Sequence, residues 1–376
     1  MRLDLEPDQQ LFRETTAKFL DGAVPVGEIR RLRDVASGFD PRYWRQGAEL
    51  GWTSLLVNES DGGGSISADG IVDLSLVAHE FGFHAAPGPL VGTNVVAAAL
   101  SAHGSHGDLL GRLLTGDAVA AWAHTEPPPH DRLGAVTLEV RVDGGDVVLS
   151  GAKRPVESAA EASHLLVTGR TGEGLTQVLV PTDAAGLTLT PMQSVDLTRR
   201  FALVQLDDVR LPASAVVGEV GGAADAVERQ LQQALVISVA EAVGAMQRAF
   251  DLTLEWSFDR YSFGRPLASY QALKHRFADM KMWLEASHAI ADAAAGAVAD
   301  GRDTAGRYVS MALAYAGAHG SELMQECVQL HGGIGVTYEH DLHLFLRRHT
   351  IDRSLYGTPG QHRQRIADLA QQEVAA

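Results

Sequence analysis

Apolar residues recur at helical spacing along the first part of the chain and predict a helical region there. Leu11, Phe12 and Phe19 fall within one amphipathic repeat. A long helix is predicted at 66–83 and a second apolar helix at 91–102, with a break rich in Pro and Gly between them.

The apolar period changes from 3.6 to 2 near residue 119, which predicts strands. Val136, Leu138 and Val140 alternate with other residues, and a turn of two glycines between two aspartates follows. Further short strands are predicted at 164–168, 177–180, 187–190 and 202–206. Short strands at this spacing predict a small β-barrel or sandwich.

Helical spacing returns after about residue 223. Long helices are predicted at 223–260, 267–298, 302–330 and 340–353, with a short tail helix after Pro359. The order of elements predicts an α+β multidomain protein. We expect an N-terminal helical domain at 1–116, a middle β-domain at 117–220 and a C-terminal four-helix bundle at 221–376.

Charge and cysteine content narrow the class of protein. The 376 residues carry a formal net charge of −16, which argues against nucleic acid or an anionic membrane surface as a partner. The single cysteine, Cys327, excludes an intrachain disulfide framework. No stretch approaches the roughly 20 apolar residues of a membrane span. We therefore expect a soluble, cytoplasmic protein.

Two segments on the C-terminal helical background combine charged, aromatic and glycine residues. The first places Arg260 and Phe263 at a break between two helices, with Gln271 about one turn into the next. The second ends a helix on Gly332 and Gly333, where backbone N–H groups can approach a ligand closely. Because arginine binds anionic oxygens in pairs and stacks on π-faces, these segments suit a pyrophosphate joined to a planar ring.

The spacing of these segments resembles that of the acyl-CoA dehydrogenase flavoproteins. The pattern RxxFGxPLxxxQ is followed by QLHGGxGxTxEHDLHLxLRR, and the likeness extends over nearly the whole chain. In particular, the chain resembles a small actinobacterial type of subunit that lacks the usual catalytic glutamate. The resemblance implies α,β-dehydrogenation of an acyl-CoA thioester, in which a glutamate takes the α-proton and N5 of FAD takes the β-hydride. It also implies a dimer or tetramer of related subunits, with an electron-transfer flavoprotein or a similar acceptor.

In this family FAD lies at a subunit interface and is held by two half-sites. The trans half-site grips the pyrophosphate and adenosine of the neighbouring subunit's FAD. The residues that the resemblance implies for it here are Arg260, Phe263, Gln271, Gln329, Gly332 and Gly333. All six are present at the family's spacing.

The cis half-site, which cups the isoalloxazine ring, departs from the family pattern. The TEPxxGSD loop corresponds to residues 125–131, which keep TEP but are one residue short and lack the Gly-Ser. The KxW[IV][ST]N element has Pro155 at the tryptophan position and Glu157 at the Ser/Thr position. A carboxylate beside a flavin disfavours the negatively charged reduced ring. Thr125 in this loop and Thr358 in the C-terminal region are the further cofactor-binding residues that the resemblance implies.

The catalytic base is missing from both places where family members carry it. Tyr356 occupies the usual glutamate position, and a tyrosine is a poor base at neutral pH. Ala234 occupies the alternative position on the long helix. Glu241 lies seven residues further along that helix, roughly 10 Å away, and is the remaining candidate. The catalytic residue is therefore unassigned. His340 and His343 have the spacing of metal ligands but lack an evident third ligand, so we predict no metal site.

Three interpretations of this pattern remain open. The first is a subunit that helps to bind FAD for a base-carrying partner. The second is a self-sufficient homo-oligomeric flavoenzyme with a nonstandard base. The third is a catalytically silent binding or scaffold protein.

Overall fold

The chain folds in the order helices, strands, helices. The computed structural model describes residues 5–32, 35, 38–127 and 136–375. The N-terminal helices are α1 (Pro7–Ala23), α2 (Val26–Leu32), α3 (Pro41–Glu49), α4 (Gly70–His84), α5 (Leu90–Ala102) and α6 (Gly107–Leu114). Helices α4 and α5 are buried along nearly their whole length, so they form the centre of this region.

The middle of the chain forms one eight-stranded sheet. Its strands are β1 (Ala120–Ala123), β2 (Glu139–Asp143), β3 (Asp146–Glu157), β4 (His164–Arg170), β5 (Leu175–Pro181), β6 (Leu187–Met192), β7 (Phe201–Pro212) and β8 (Val216–Val217). The order is β6-β7-β3-β2-β4-β5-β8, and β1 lies parallel to β4. The four strands predicted after residue 160 are confirmed, and each is longer than predicted. Strand β1 is not among the predicted strands, because all four of its residues are buried and show no alternation.

The last part of the chain is again helical. Its helices are α7 (Ala224–Asp259), α8 (Gln271–Ala299), α9 (Ala305–His331), α10 (Leu342–Asp352) and α11 (Pro359–Ala375). A two-stranded hairpin, β9 (Tyr261–Ser262) and β10 (Arg265–Pro266), separates α7 from α8. The predicted fold class is confirmed.

Two helix starts differ from prediction for local reasons. Helix α4 begins at Gly70 and not at residue 66, because the Asp73 carboxylate accepts hydrogen bonds from the backbone N–H groups of Ile66 and Ser67 at 2.7 and 2.9 Å. Helix α8 begins at Gln271 and not at residue 267, because the hairpin and a short 3-10 turn precede it.

Helices α4 and α7 cross closely. A Cβ atom added at Gly82 would lie 1.8 Å from the carbonyl oxygen of Glu241, and one added at Gly244 would lie 2.0 Å from that of His79. Only glycine permits this approach. The crossing therefore fixes the part of α7 that carries Glu241.

Candidate functional site

A tight hairpin presents Phe263 to solvent at one end of the helical bundle. Phe263 and Gly264 form its two-residue turn with φ values of 50° and 78°. The left-handed conformation is unfavourable for phenylalanine, and its side chain is 97% exposed, so contacts within the chain do not compensate. Such a residue is typical of a site completed by another molecule.

Three helix ends meet at this hairpin. Trp256 near the end of α7 stacks on His331 at the end of α9, with ring centroids 5.3 Å apart. Arg276 near the start of α8 pairs with Glu326 of α9 at 3.0 Å. The predicted trans residues lie within a few positions of these contacting side chains. The contacts therefore bring them to the same end of the bundle.

The predicted trans residues are accessible there. The side chains or backbone of all six are exposed, namely Arg260, Phe263, Gln271, Gln329, Gly332 and Gly333. A Cβ atom added at Gly332 or Gly333 would meet no heavy atom of the described residues within 4 Å. The two glycines therefore leave open space above the end of α9, where a ligand can approach the backbone.

The Thr-Glu-Pro segment after β1 is held by a buried ion pair. The Glu126 carboxylate accepts hydrogen bonds from Lys153 Nζ at 2.8 Å and from the backbone N–H of Leu138 at 2.9 Å. Burial by itself would raise the pKa of Glu126, but the positive charge of Lys153 and its hydrogen bond lower that pKa to about 2. Thr125 itself is buried, and its carbonyl oxygen accepts a hydrogen bond from Arg154. The rest of the loop, residues 128–131, lies outside the described residues.

Tyr356 is buried against the sheet. Its ring lies 5.6 Å from that of Trp122 on β1, and 6% of the residue is exposed. Burial, and next the negative charge of Glu157, raise the pKa of the phenol well above its ordinary value of 10. Tyr356 therefore keeps its proton at neutral pH and cannot accept one from a substrate.

Thr358 lies at the surface, at the start of α11. Its hydroxyl accepts a hydrogen bond from the backbone N–H of Gln361 at 3.3 Å, and its own N–H donates to the Gln361 side chain at 2.7 Å. This reciprocal pair caps the helix. Its implied contact with a cofactor remains a prediction.

A buried arginine, Arg199, joins three elements of the fold near Tyr356. The Arg199 guanidinium pairs with Glu157 of β3 at 3.0 Å, with Asp352 of α10 at 2.5 Å and with Glu241 of α7. Each of these residues is at most 8% exposed. We call these four residues the Arg199 cluster. Glu241, the remaining candidate for the base, is thus held in an ion pair.

A second buried arginine flanks the Arg199 cluster. Arg348 of α10 donates to Asp196 at 2.7 Å, to the hydroxyl of Thr198 at 2.5 Å and to the carbonyl oxygen of Ala86 at 2.8 Å. Burial by itself would raise the pKa of Asp196, but the positive charges of the Arg348 and Arg199 guanidinium groups lower it.

In the Arg199 cluster, burial raises the pKa of two carboxyl groups, whereas the pKa of Asp196 is lowered. Burial raises the pKa of Glu157 from 4.5 to about 7 and that of Asp352 well above its ordinary value. Among the described residues, one oxygen of Glu157 and one of Asp352 have no hydrogen-bond partner. The pairing of these residues is not predictable from the sequence, because Arg199 is 42 residues from Glu241 and 153 residues from Asp352.

The two half-sites differ in how well they fit FAD. The exposed end of the bundle fits the pyrophosphate, since it offers an arginine, two amide side chains and open glycines. The cis position does not fit the ring, because Glu157, at the Ser/Thr position of the family pattern, is buried in an ion pair with Arg199.

Neither a metal centre nor a membrane span is evident in the parts of the chain that the structure describes. No group of three or more His, Cys, Asp or Glu side chains is arranged to hold a metal ion among them. Within the same residues, the helices are too short or too polar to cross a membrane.

Family models match both helical parts of the chain. The acyl-CoA dehydrogenase C-terminal domain matches residues 221–370, and the N-terminal domain matches residues 6–108. Acyl-CoA dehydrogenase IpdE2 of Mycolicibacterium smegmatis is 30% identical over 365 residues, which cover 96% of this chain and 98% of that protein.

Solved structures agree over the whole length. A variant of the Tcur3481-Tcur3483 steroid ACAD is 27% identical, has a TM-score of 0.89, and is matched over 98% of this chain and 99% of that one. The ChsE4-ChsE5 complex from Mycobacterium tuberculosis has a TM-score of 0.87 at 22% identity and is matched over 98% of each chain, a likeness of fold. The chain therefore belongs to the acyl-CoA dehydrogenase family.

Proposed function

We propose that this chain is a subunit of an FAD-dependent acyl-CoA dehydrogenase and completes the FAD site of a related subunit that carries the catalytic glutamate. One observation carries the proposal: the trans residues are exposed and unobstructed, whereas the residues at the cis ring position are buried and ion-paired. A heteromeric assembly permits this division, because each FAD needs one intact half-site from each subunit.

The role of this chain is to bind and orient the FAD of the related subunit. Arg260 supplies a positive charge for the pyrophosphate, and Gln271 and Gln329 supply amide groups. Gly333 permits the backbone to approach the phosphates. Phe263, held outward by the hairpin, contributes an aromatic surface to the neighbouring subunit. FAD, when bound, supplies the hydride acceptor.

The proton of the substrate is not removed by this chain. Tyr356 stays protonated, Ala234 has no acid group, and Glu241 is paired with Arg199. We therefore assign the base to the related subunit, which should retain a glutamate where this chain has Tyr356.

The substrate class is an acyl-CoA thioester, and the electrons pass to an electron-transfer flavoprotein or a similar acceptor. Support for a paired assembly comes from the 27% identical steroid ACAD, which is named for two components, Tcur3481-Tcur3483. We extend that pairing to this chain as part of the proposal.

Co-expression tests the proposal. The chain and the related subunit that retains the glutamate are produced separately and together, and acyl-CoA oxidation is followed with an artificial electron acceptor. We expect flavin retention and activity in the joint preparation, and no activity from this chain alone. A related subunit that is fully active and saturated with FAD without this chain would contradict the proposal.

A further inference from the structure

Given the subunit role above, we propose that the Arg199 cluster fills the place of the flavin ring in this chain. Its own cis half-site then holds no cofactor, and ion pairs join the β-sheet to the C-terminal helices in place of the ring.

Two residues that stand at family positions near the flavin ring, Glu157 and Tyr356, interact with the Arg199 guanidinium. Glu157 stands at the family's Ser/Thr position on β3 and pairs with it at 3.0 Å. Tyr356 stands at the usual glutamate position, and among nearby charges Glu157 and Arg199 act most strongly on its phenol. On this inference, the Arg199 guanidinium and its acid partners take the space that a ring would need.

The cluster is built into the sheet. Glu157 is opposite Phe201 in the pairing of β3 with β7, and the backbone N–H of Ser158 donates to the carbonyl oxygen of Arg200 at 2.9 Å. The Arg200 side chain anchors the same segment, because it donates to the carbonyl oxygens of Leu32 and Val35 at 2.6 and 2.8 Å. Arg199 is therefore held in place by its neighbours in the sheet.

Admitting a ring would break buried ion pairs on three elements at once. Removing one partner from a buried pair leaves an uncompensated charge, which is strongly unfavourable. Here Glu157, Glu241 and Asp352 would all lose the same guanidinium.

The charge of the region also opposes a reduced flavin. The Arg199 cluster and its neighbours Arg348 and Asp196 bring four carboxyl groups to two guanidinium groups. Burial raises the pKa of Glu157 and of Asp352, but even with these two acids partly protonated the group has no net positive charge to offer a reduced ring, which carries negative charge.

Counting FAD in the joint preparation tests the inference. We expect one FAD for each pair of this chain with its base-carrying relative, and loss of that FAD with Gly333→Ala in this chain. Gly333 lies outside the left-handed region, and an added Cβ meets no described atom within 4 Å, so the variant should fold normally.

Other numbers of FAD per pair would distinguish a failure of this inference from a failure of the proposed function. Two FAD per pair, one of them lost with Gly333→Ala, overturns the filled ring position and leaves the proposed function intact. One FAD per pair that survives Gly333→Ala overturns both. No FAD in the pair overturns the proposed function, and the inference is then decided on the isolated chain.

Riboflavin probes the ring position of the isolated chain directly, because it carries the ring without pyrophosphate or adenosine. We expect no saturable quenching of its fluorescence by the chain. Saturable binding of one riboflavin per chain, unchanged by Gly333→Ala, would overturn the inference.

Discussion

Arg260 is the residue whose charge the trans half-site depends on most. It is exposed at the end of α7, beside the hairpin that presents Phe263. Arg260→Ala should weaken FAD retention in the assembly by about 1.5–3 kcal/mol, the value of a charge-assisted hydrogen bond, or roughly 10- to 150-fold. The FAD dissociation constant of the purified assembly measures this.

Arg302→Ala is a matched control for Arg260→Ala. Arg302 is also exposed but lies in the connection between α8 and α9, at the opposite end of the bundle. It should leave FAD retention unchanged. Equal FAD retention in both variants would mean that Arg260 does not contact the cofactor.

Substitution of Tyr356 tests whether the absence of a base is the only reason that this chain would lack dehydrogenase activity. Tyr356→Glu restores the family residue but adds a carboxyl group beside Glu157, Glu241 and Asp352, which are already buried together. We expect no dehydrogenase activity from this variant alone and a lower melting temperature. Tyr356→Phe, which removes only the hydroxyl, should fold normally and support full activity in the assembly. Turnover by the Tyr356→Glu variant without a partner would contradict the expected inactivity.

At the residue scale, the site residues that can be predicted from the sequence are those that follow one another closely in the chain. Arg260, Phe263 and Gly333 stand in compact motifs, and the structure places them together at an exposed end. Arg199 could not be found in this way, since its partners come from three distant segments.

At the scale of elements, Arg199 joins β3, α7 and α10. Arg199→Met should reduce the free energy of unfolding by about 3–5 kcal/mol, because it leaves three buried carboxyl groups without their cation. Urea denaturation of the isolated chain measures the loss. Arg210→Met is the matched control: Arg210 also pairs with two acids, Asp143 and Asp146, but does so at the surface. Similar losses in the two variants would contradict a structural role for the Arg199 cluster.

The sequence predicted the long elements better than the short ones. Helices α7 and α9 were predicted to within a few residues, because their apolar repeats are long. The seven-residue α2 and eight-residue α6 were missed, since so few residues do not establish a period. The hairpin between α7 and α8 was predicted only as a break, because its turn has Phe263 where glycine or asparagine is usual.

At the scale of the whole molecule, the α, β, α order was predictable from the change of apolar period. The family models match residues 6–108 and 221–370, on either side of the strands. We propose that the three domains divide near residues 116 and 220, as the period indicates. How the two helical regions pack on each other was not predictable, because buried contacts such as Arg348 to Ala86 join residues 262 positions apart.

The pH dependence of stability reports on the buried acids. Folding raises the pKa of Glu157 from 4.5 to about 7, so the native chain binds more protons than the unfolded chain in that interval. The contribution of Glu157 to stability is complete below about pH 4.5 and is lost as the pH rises through about 7. Asp352, whose pKa is also raised, acts in the same direction, and Asp196, whose pKa is lowered, acts in the opposite one.

Glu157→Gln isolates this contribution, because glutamine resembles the protonated acid at every pH. Wild type and variant should be similarly stable near pH 5. Above pH 7 the wild type should be the less stable by up to about 3 kcal/mol, the cost of ionising Glu157 in the folded chain. Urea denaturation of both proteins from pH 5 to pH 8 checks this, and parallel curves would show that Glu157 does not titrate differently on folding.

The absorption spectrum of the isolated chain tests most directly whether it lacks a working site of its own. The purified chain is examined for a flavin band, and a medium-chain and a steroid acyl-CoA are then added without oxygen. We predict a colourless preparation in which neither thioester changes the spectrum. A yellow protein that bleaches with either acyl-CoA would show that the chain has both a flavin and a base, and would contradict its role as a dependent subunit.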